Sequence, residues 1–111
     1  MKPSKELIGA STRLLVLGAL AREPSYGYKI VREVNESTGD IFTCSQGTIY
    51  PILVKLGKEK LLRAQWQGAD KGHWRKYYYI TAKGRAALEG NVADWNRFHG
   101  LISRLTEVQR A

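Results

Sequence analysis

Apolar residues recur at helical spacing over four stretches of this chain, and with a period of two over a fifth. Leu7, Ile8, Leu14, Leu15, Leu17 and Leu20 mark a broad apolar face on a first helix over residues 4–21. It is expected to stop ahead of Glu23-Pro24, because proline disfavours helical geometry in the residue before it. Tyr26, Ile30 and Val34 repeat at i, i+4, i+8 and predict a second helix over residues 26–35, with Ser25 as its cap. Residues 35–40 read as a turn, and Ile41-Phe42 as a short buried segment. Ser45 is placed to cap a third helix whose inward stripe is Ile49, Ile52, Leu53 and Leu56. Pro51 lies beyond the first turn of that helix, lacks an N–H, and predicts a bend.

Residues 61–66 and 74–80 then alternate. Leu62, Ala64 and Trp66 stand against Arg63 and Gln65, and Trp74, Lys76, Tyr78 and Ile80 against Arg75, Tyr77 and Tyr79. That pattern, rich in β-formers, predicts a hairpin. Its connection over residues 67–73 is long and contains Gly68 and Gly72, so a protruding loop is expected. On one register Trp66 and Trp74 face each other across it. Thr81 is placed to cap a final helix running to about residue 109. Leu88, Trp95 and Ile102 are seven apart there, Phe98 and Leu105 follow the last two by three, and Val92, Leu101 and Val108 widen the stripe. Some 27 residues make a rod of roughly 40 Å. It outreaches the core that the preceding residues can build and calls for a partner surface, most simply a second copy of the chain.

Charge sharpens this outline. The 111 residues carry a formal net charge of +8. Nine Lys or Arg (55, 58, 60, 63, 71, 75, 76, 83, 85) lie between Lys55 and Arg85 against two acids, Glu59 and Asp70, so +7 falls in that window. A helix and a hairpin sharing a cationic field suit a duplex, the helix in the major groove and the hairpin on phosphates. The chain reads as one compact unit: mainly α with a small β-hairpin (α+β), a winged helix-turn-helix over residues 1–81 and a dimerisation helix over residues 82–111 that packs with the N-terminal helix. One cysteine, Cys44, excludes an intrachain disulfide or a multi-cysteine zinc site. It reads as a small buried hydrophobe, the sharper alternative being a thiol switch beside the third helix. No apolar run reaches the length of a membrane span, and the N-terminal residues do not read as a signal peptide, so a cytoplasmic protein is expected.

Ser25-Tyr-Gly-Tyr28, Gly47-Thr-Ile-Tyr-Pro51, Arg75-Lys-Tyr-Tyr78 and Ile80-Thr-x-x-Gly84 occur in this order and spacing. Together they resemble the PadR family of bacterial transcriptional regulators, in its shorter form with one C-terminal helix. The resemblance runs from about Leu14 to Ile102. It implies a homodimeric repressor whose third helix enters the major groove, whose wing contacts the backbone or minor groove, and whose last helix supplies most of the dimer interface. Gly57 stands where the family usually has an acid, and Lys60 where it often has glycine. Gly57 is therefore expected to take over the C-cap, with the third helix ending a few residues early.

The DNA-contact candidates are Tyr26, Ser45, Gln46, Thr48, Tyr50, Lys55, Lys71, Arg75 and Lys76. Gln46 suits bidentate pairing with adenine, Thr48 a thymine methyl or a phosphate, and Tyr50 a phosphate oxygen. Arg75 and Lys76 point to opposite faces of one strand, and Arg75 is favoured for the duplex. Lys71 is expected at phosphate whatever the register. Tyr77, Tyr78 and Tyr79 alternate faces, which argues against a base-stacking platform. The dimer candidates are Leu7, Leu14, Leu88, Val92, Trp95, Phe98, Ile102 and Leu105. Trp95 either fills the dimer core or, with Asn91 and Phe98, lines a slot for a flat hydrophobic ligand, as short PadR-like proteins can. His73 and His99 have no carboxylate motif between them, and neither a metal site nor a cofactor is expected. No nucleophile has a plausible local base, which argues against an enzyme. The expected partners are a pseudo-palindromic duplex operator, a second copy and a planar effector, with no membrane. The alternative class is a winged helix used as a protein-interaction or RNA-binding module.

Overall fold

A computed structural model describes residues 5–39, 44–68 and 74–107, and the side chains of residues 9 and 11 onward within them. Four helices and three short strands follow one another as α1 (Lys5–Arg22), β1 (Ser25–Tyr26), α2 (Gly27–Ser37), α3 (Gln46–Lys58), β2 (Leu62–Gly68), β3 (Trp74–Ile80) and α4 (Ala82–Thr106). The strands form one antiparallel sheet in the order β1-β3-β2. Val16, Leu17 and Leu20 of α1, Ile30 and Val34 of α2, Ile49, Leu53 and Leu56 of α3, and Leu61, Leu62 and Tyr78 at the sheet's base close one core. These are the periodic positions of each helix, so apolar spacing alone decides which faces meet. The fold is a winged helix-turn-helix followed by one long helix.

Two caps form as their sequences dictate. The Ser45 side chain accepts from the Thr48 N–H at 3.3 Å, and the Thr81 side chain accepts from the Gly84 N–H at 2.9 Å. The third expected cap does not form. Ser25 belongs to β1, opposite Tyr78, and is fully buried, its hydroxyl without a hydrogen-bond partner among the described residues. Tyr26 occupies the N-cap position of α2 without a side-chain bond, and α2 extends to Ser37. Ser25 and Tyr26 instead pair with Tyr78 and Tyr77 of β3, which fixes the entry to α2 without a side-chain cap. Ile41 and Phe42 lie outside the described residues.

The end of α3 also departs from expectation. The helix runs through Pro51 to Lys58, and Gly57 is an ordinary helical residue within it. Lys60 itself adopts the left-handed conformation, φ 63°. Its N–H donates to the Gly57 carbonyl at 3.0 Å, and the Leu61 N–H donates to the Leu56 carbonyl at 3.0 Å. This is a Schellman closure, and buried Leu56 and Leu61 supply its apolar contact. A lysine thus bears a conformation that glycine adopts without strain.

That closure is joined tightly to α4. The Thr81 hydroxyl donates to the Lys60 carbonyl at 2.8 Å, the Thr81 N–H donates to the Leu61 carbonyl at 3.0 Å, and Lys83 Nζ donates to the Glu59 carbonyl at 3.0 Å. A side chain at Gly84 would collide with the Leu61 carbonyl oxygen, which accounts for the glycine of Ile80-Thr-x-x-Gly84. Arg13 of α1 grips Glu59 with both guanidinium nitrogens, at 2.8 and 3.1 Å. Past Leu88, every described residue of α4 except Asn91 and Ser103 is exposed. The chain is accordingly elongated, 63 × 30 × 20 Å.

Candidate nucleic-acid interface

The hairpin register sorts its side chains onto two faces. Leu62 pairs with Ile80, Ala64 with Tyr78, Trp66 with Lys76 and Gly68 with Trp74. Leu62, Ile80 and Tyr78 lie against the core, while exposed Ala64 and the last two pairs carry the same face outward beyond it. Trp66 and Trp74 are therefore not opposite one another. Trp74 lies along Gly68, whose missing Cβ would sit 3.6 Å from the indole. The other face holds Arg63, whose guanidinium lies 4.3 Å from the Tyr79 ring centroid, and Arg75, 4.5 Å from that of Tyr26. Tyr26 also meets Tyr77 edge-on at 5.4 Å. Gln67 donates to the Tyr79 hydroxyl on the same face.

Between the wing and α3 lies a groove of about 500 Å³, lined by Tyr26, Tyr28, Gln46, Tyr50, Trp66, Trp74, Arg75, Lys76 and Tyr78, with Gly27 at its floor. Tyr50 lies over Gly27, where a Cβ would come within 2.6 Å of its hydroxyl. The glycine of Tyr26-Gly-Tyr28 thus seats the ring of Tyr50, fixing α3 against the start of α2. Burial, and secondarily Tyr50, push the Tyr78 hydroxyl above its ordinary pKa, so it stays neutral.

Five of the expected contact residues, Tyr26, Gln46, Tyr50, Arg75 and Lys76, meet around this groove. Ser45 and Thr48 are exposed at the start of α3 and lie within 3.2 Å of each other through their hydroxyls. Lys55 is exposed in the last turn, well along the helix. Lys71 lies outside the described residues. Sequence reasoning missed Tyr28, Trp66 and Trp74 as groove residues. The alternation of the hairpin held the signal for the tryptophans, since both share the face of Lys76.

The cationic window is less uniform than its count of charges. Lys83 and Arg85 donate to the carbonyls of Glu59 and Ala21 at the junction with α4, and Arg63 covers the far face of the wing. Among the described residues, the groove is lined by two cations, Lys76 on the tryptophan face and Arg75 over Tyr26, and by no acid.

A second, shallower depression of about 290 Å³ lies between α1 and α4, lined by Arg13, Leu14, Asn91, Asp94, Trp95 and Phe98. It brings together Asn91, Trp95 and Phe98. Arg13 links it to the end of α3, because its Glu59 partner is the C-cap residue of that helix. The Arg13 hydrogen bond holds the Glu59 carboxyl below the usual carboxylate range. Leu14 and Leu88 are half-buried, while Val92, Trp95, Phe98, Ile102 and Leu105 are exposed. The Leu7 side chain lies outside the described residues. Cys44 is buried, its backbone clamped by two hydrogen bonds to the Asn35 side chain. Among the described residues no three His, Cys, Asp or Glu are grouped to hold a metal, and no helix is long and apolar enough to cross a membrane.

A capped helix with an exposed polar edge, set beside a cationic wing, defines the winged helix-turn-helix class of DNA-binding regulators. Residues 16–90 match the profile of the transcriptional regulator PadR-like family. The chain belongs to that family, and it is a DNA-binding transcriptional regulator, not an enzyme. It is 32% identical over 79 residues to the transcriptional regulator YqjI of Escherichia coli, a match covering 71% of this chain and 36% of that protein. It is similar to a PadR-like regulator of Bacillus cereus at 31% identity and TM-score 0.78, covering 91% of this chain and 96% of that one. A PadR-family regulator of Eggerthella lenta superposes at TM-score 0.82 with 30% identity, covering 92% and 87%.

Proposed function

We propose that this chain is a homodimeric repressor that holds a pseudo-palindromic operator and releases it when a flat hydrophobic ligand binds beside Trp95. The observation that carries the reading is the exposed apolar length of α4, from Val92 to Leu105, on a chain whose other end presents α3 and a cationic wing. Leu88, Trp95 and Ile102 alternate with Asn91, Phe98 and Leu105 at the 4-3 spacing of a coiled-coil seam, which suits pairing with the same helix of a second copy. Two copies would present two α3 helices to half-sites about one helical turn, roughly 34 Å, apart. In each copy Gln46 and Thr48 would read base edges, while Tyr26, Ser45, Tyr50, Lys55, Lys71, Arg75 and Lys76 would hold the backbone. A ligand in the depression formed by Asn91, Trp95 and Phe98 would favour a dimer geometry whose half-site spacing no longer fits.

The test is fluorescence anisotropy of labelled duplexes from upstream of its own gene, against random duplex, at two salt concentrations. Salt-dependent binding about a thousandfold tighter than to random duplex is expected. Equal, weak binding to every duplex tried would overturn the reading of a specific repressor. Preference for A-form RNA would move the protein to a different recognition class.

A further inference from the structure

The two wing tryptophans lie outside the buried core. Trp66 and Trp74 are 61% and 67% exposed, although the base of the same hairpin face is buried at Leu62 and Tyr78. Strand propensity does not require them, since threonine or valine would serve at an exposed wing. Each indole instead leaves a large apolar area in water. Their neighbours show what they meet. Lys76 Nζ lies 6.0 Å from the Trp66 ring centroid and 5.9 Å from that of Tyr78. Gln46 and Tyr50 of α3 line the same groove, Arg75 closes one side, and none of the described lining residues is acidic. An aromatic face flanked by Arg75 and Lys76 suits a partner that is anionic at its rim and apolar on its wall. The deoxyribose wall of a DNA groove between its phosphates has that character.

We propose that Trp66 and Trp74 form an apolar wedge that packs against the deoxyribose walls of the minor groove while Lys76 reaches the adjoining phosphate. The inference rests on the DNA-binding reading and adds a second source of sequence preference. A wedge that widens or partly unstacks the groove favours pliable steps at base pairs that α3 never touches. Base edges would be read by α3, and deformability by the wing.

Acrylamide quenching of tryptophan emission, followed with anisotropy during titration by a 24-base-pair random-sequence duplex, tests this. In W95F the remaining emission comes from the wing, and the quenching constant is expected to fall about twofold as anisotropy saturates. In the W66F/W74F double variant, duplex binding is expected to weaken about tenfold with an unchanged log–log salt slope, because apolar area and not charge has been removed. Both variants alter side chains exposed in the single chain, and each is expected to match the wild type in circular dichroism and in mass by light scattering before it is titrated. Saturating anisotropy with wing tryptophans as quenchable as in free protein overturns the wedge and leaves DNA binding standing. Protection that grows with protein concentration without duplex assigns the face to a second copy and also overturns it. No anisotropy change with any duplex would sink the DNA reading together with the wedge.

Discussion

The groove between α3 and the wing and the far half of α4 both leave aromatic side chains in water, but their surroundings differ. Around Trp66 and Trp74 stand Lys76, Arg75 and the polar edge of α3. Along α4, Trp95, Phe98, Ile102 and Leu105 follow one another at seam spacing, with Val92 flanking them. Exposed apolar area says that something covers a surface, and the charge and shape around it say what. A grooved cationic face suits a polyanion with apolar walls. A straight apolar stripe suits a helix like itself.

Substitutions can separate the two surfaces. The largest effect is expected from Phe98→Glu, which places a charge on the proposed seam. Light scattering should show the mass halved, and duplex affinity should fall at least about a hundredfold as the second half-site is no longer tethered. An unchanged mass would remove the stripe from the dimer. Gln46→Ala should leave mass and salt slope untouched. It should reduce discrimination at one operator position by about 1–3 kcal/mol, read by competition between single-base variants. Lys76→Ala should weaken binding to all duplexes alike and reduce the magnitude of the log–log salt slope by roughly one. An unchanged slope would confine Lys76 to its tryptophan contact. The smallest effect is expected from Glu59→Gln, at neither surface. Its folded carboxyl titrates below its ordinary 4.5 because of Arg13, so its stabilising contribution is present above that pH and lost as pH falls through the folded value. The difference in Tm between wild type and variant should therefore shrink on acidification, and a constant difference would discount the ion pair.

Much of the fold was legible because it follows from local rules. Apolar spacing located all four helices, and Ser45 and Thr81 marked two of their starts. The strands showed in their alternation, although β2 extends to Gly68. What escaped was non-local or inverted a local rule. Ser25 has the chemistry of a cap and becomes a strand residue, because Tyr78, 53 positions later, pairs with it. Lys60 takes the conformation expected of a glycine because the Leu56–Leu61 closure and the Thr81 bonds hold it there. Arg13 and Glu59 are 46 residues apart, and no period connects them. Within the site, residue types pointed to Gln46 and the wing cations; alternation put Trp74 on the face of Lys76, and only the hairpin register brought Trp66 opposite it.

The junction of Thr81, Lys83 and Gly84 with the end of α3 makes α4 a lever. A rod of 25 residues is about 37 Å long, so tilting it by about 5° about that junction moves its far end by about 3 Å. The gearing also works in reverse. A displacement of a few ångströms where two such rods would meet in the proposed dimer would become a small rotation at the Leu61 carbonyl, with little slack because Gly84 leaves no room for a side chain. On the proposed reading, a change confined to the remote end of this chain would thus pass to α3 as an angle, without any element having to unfold.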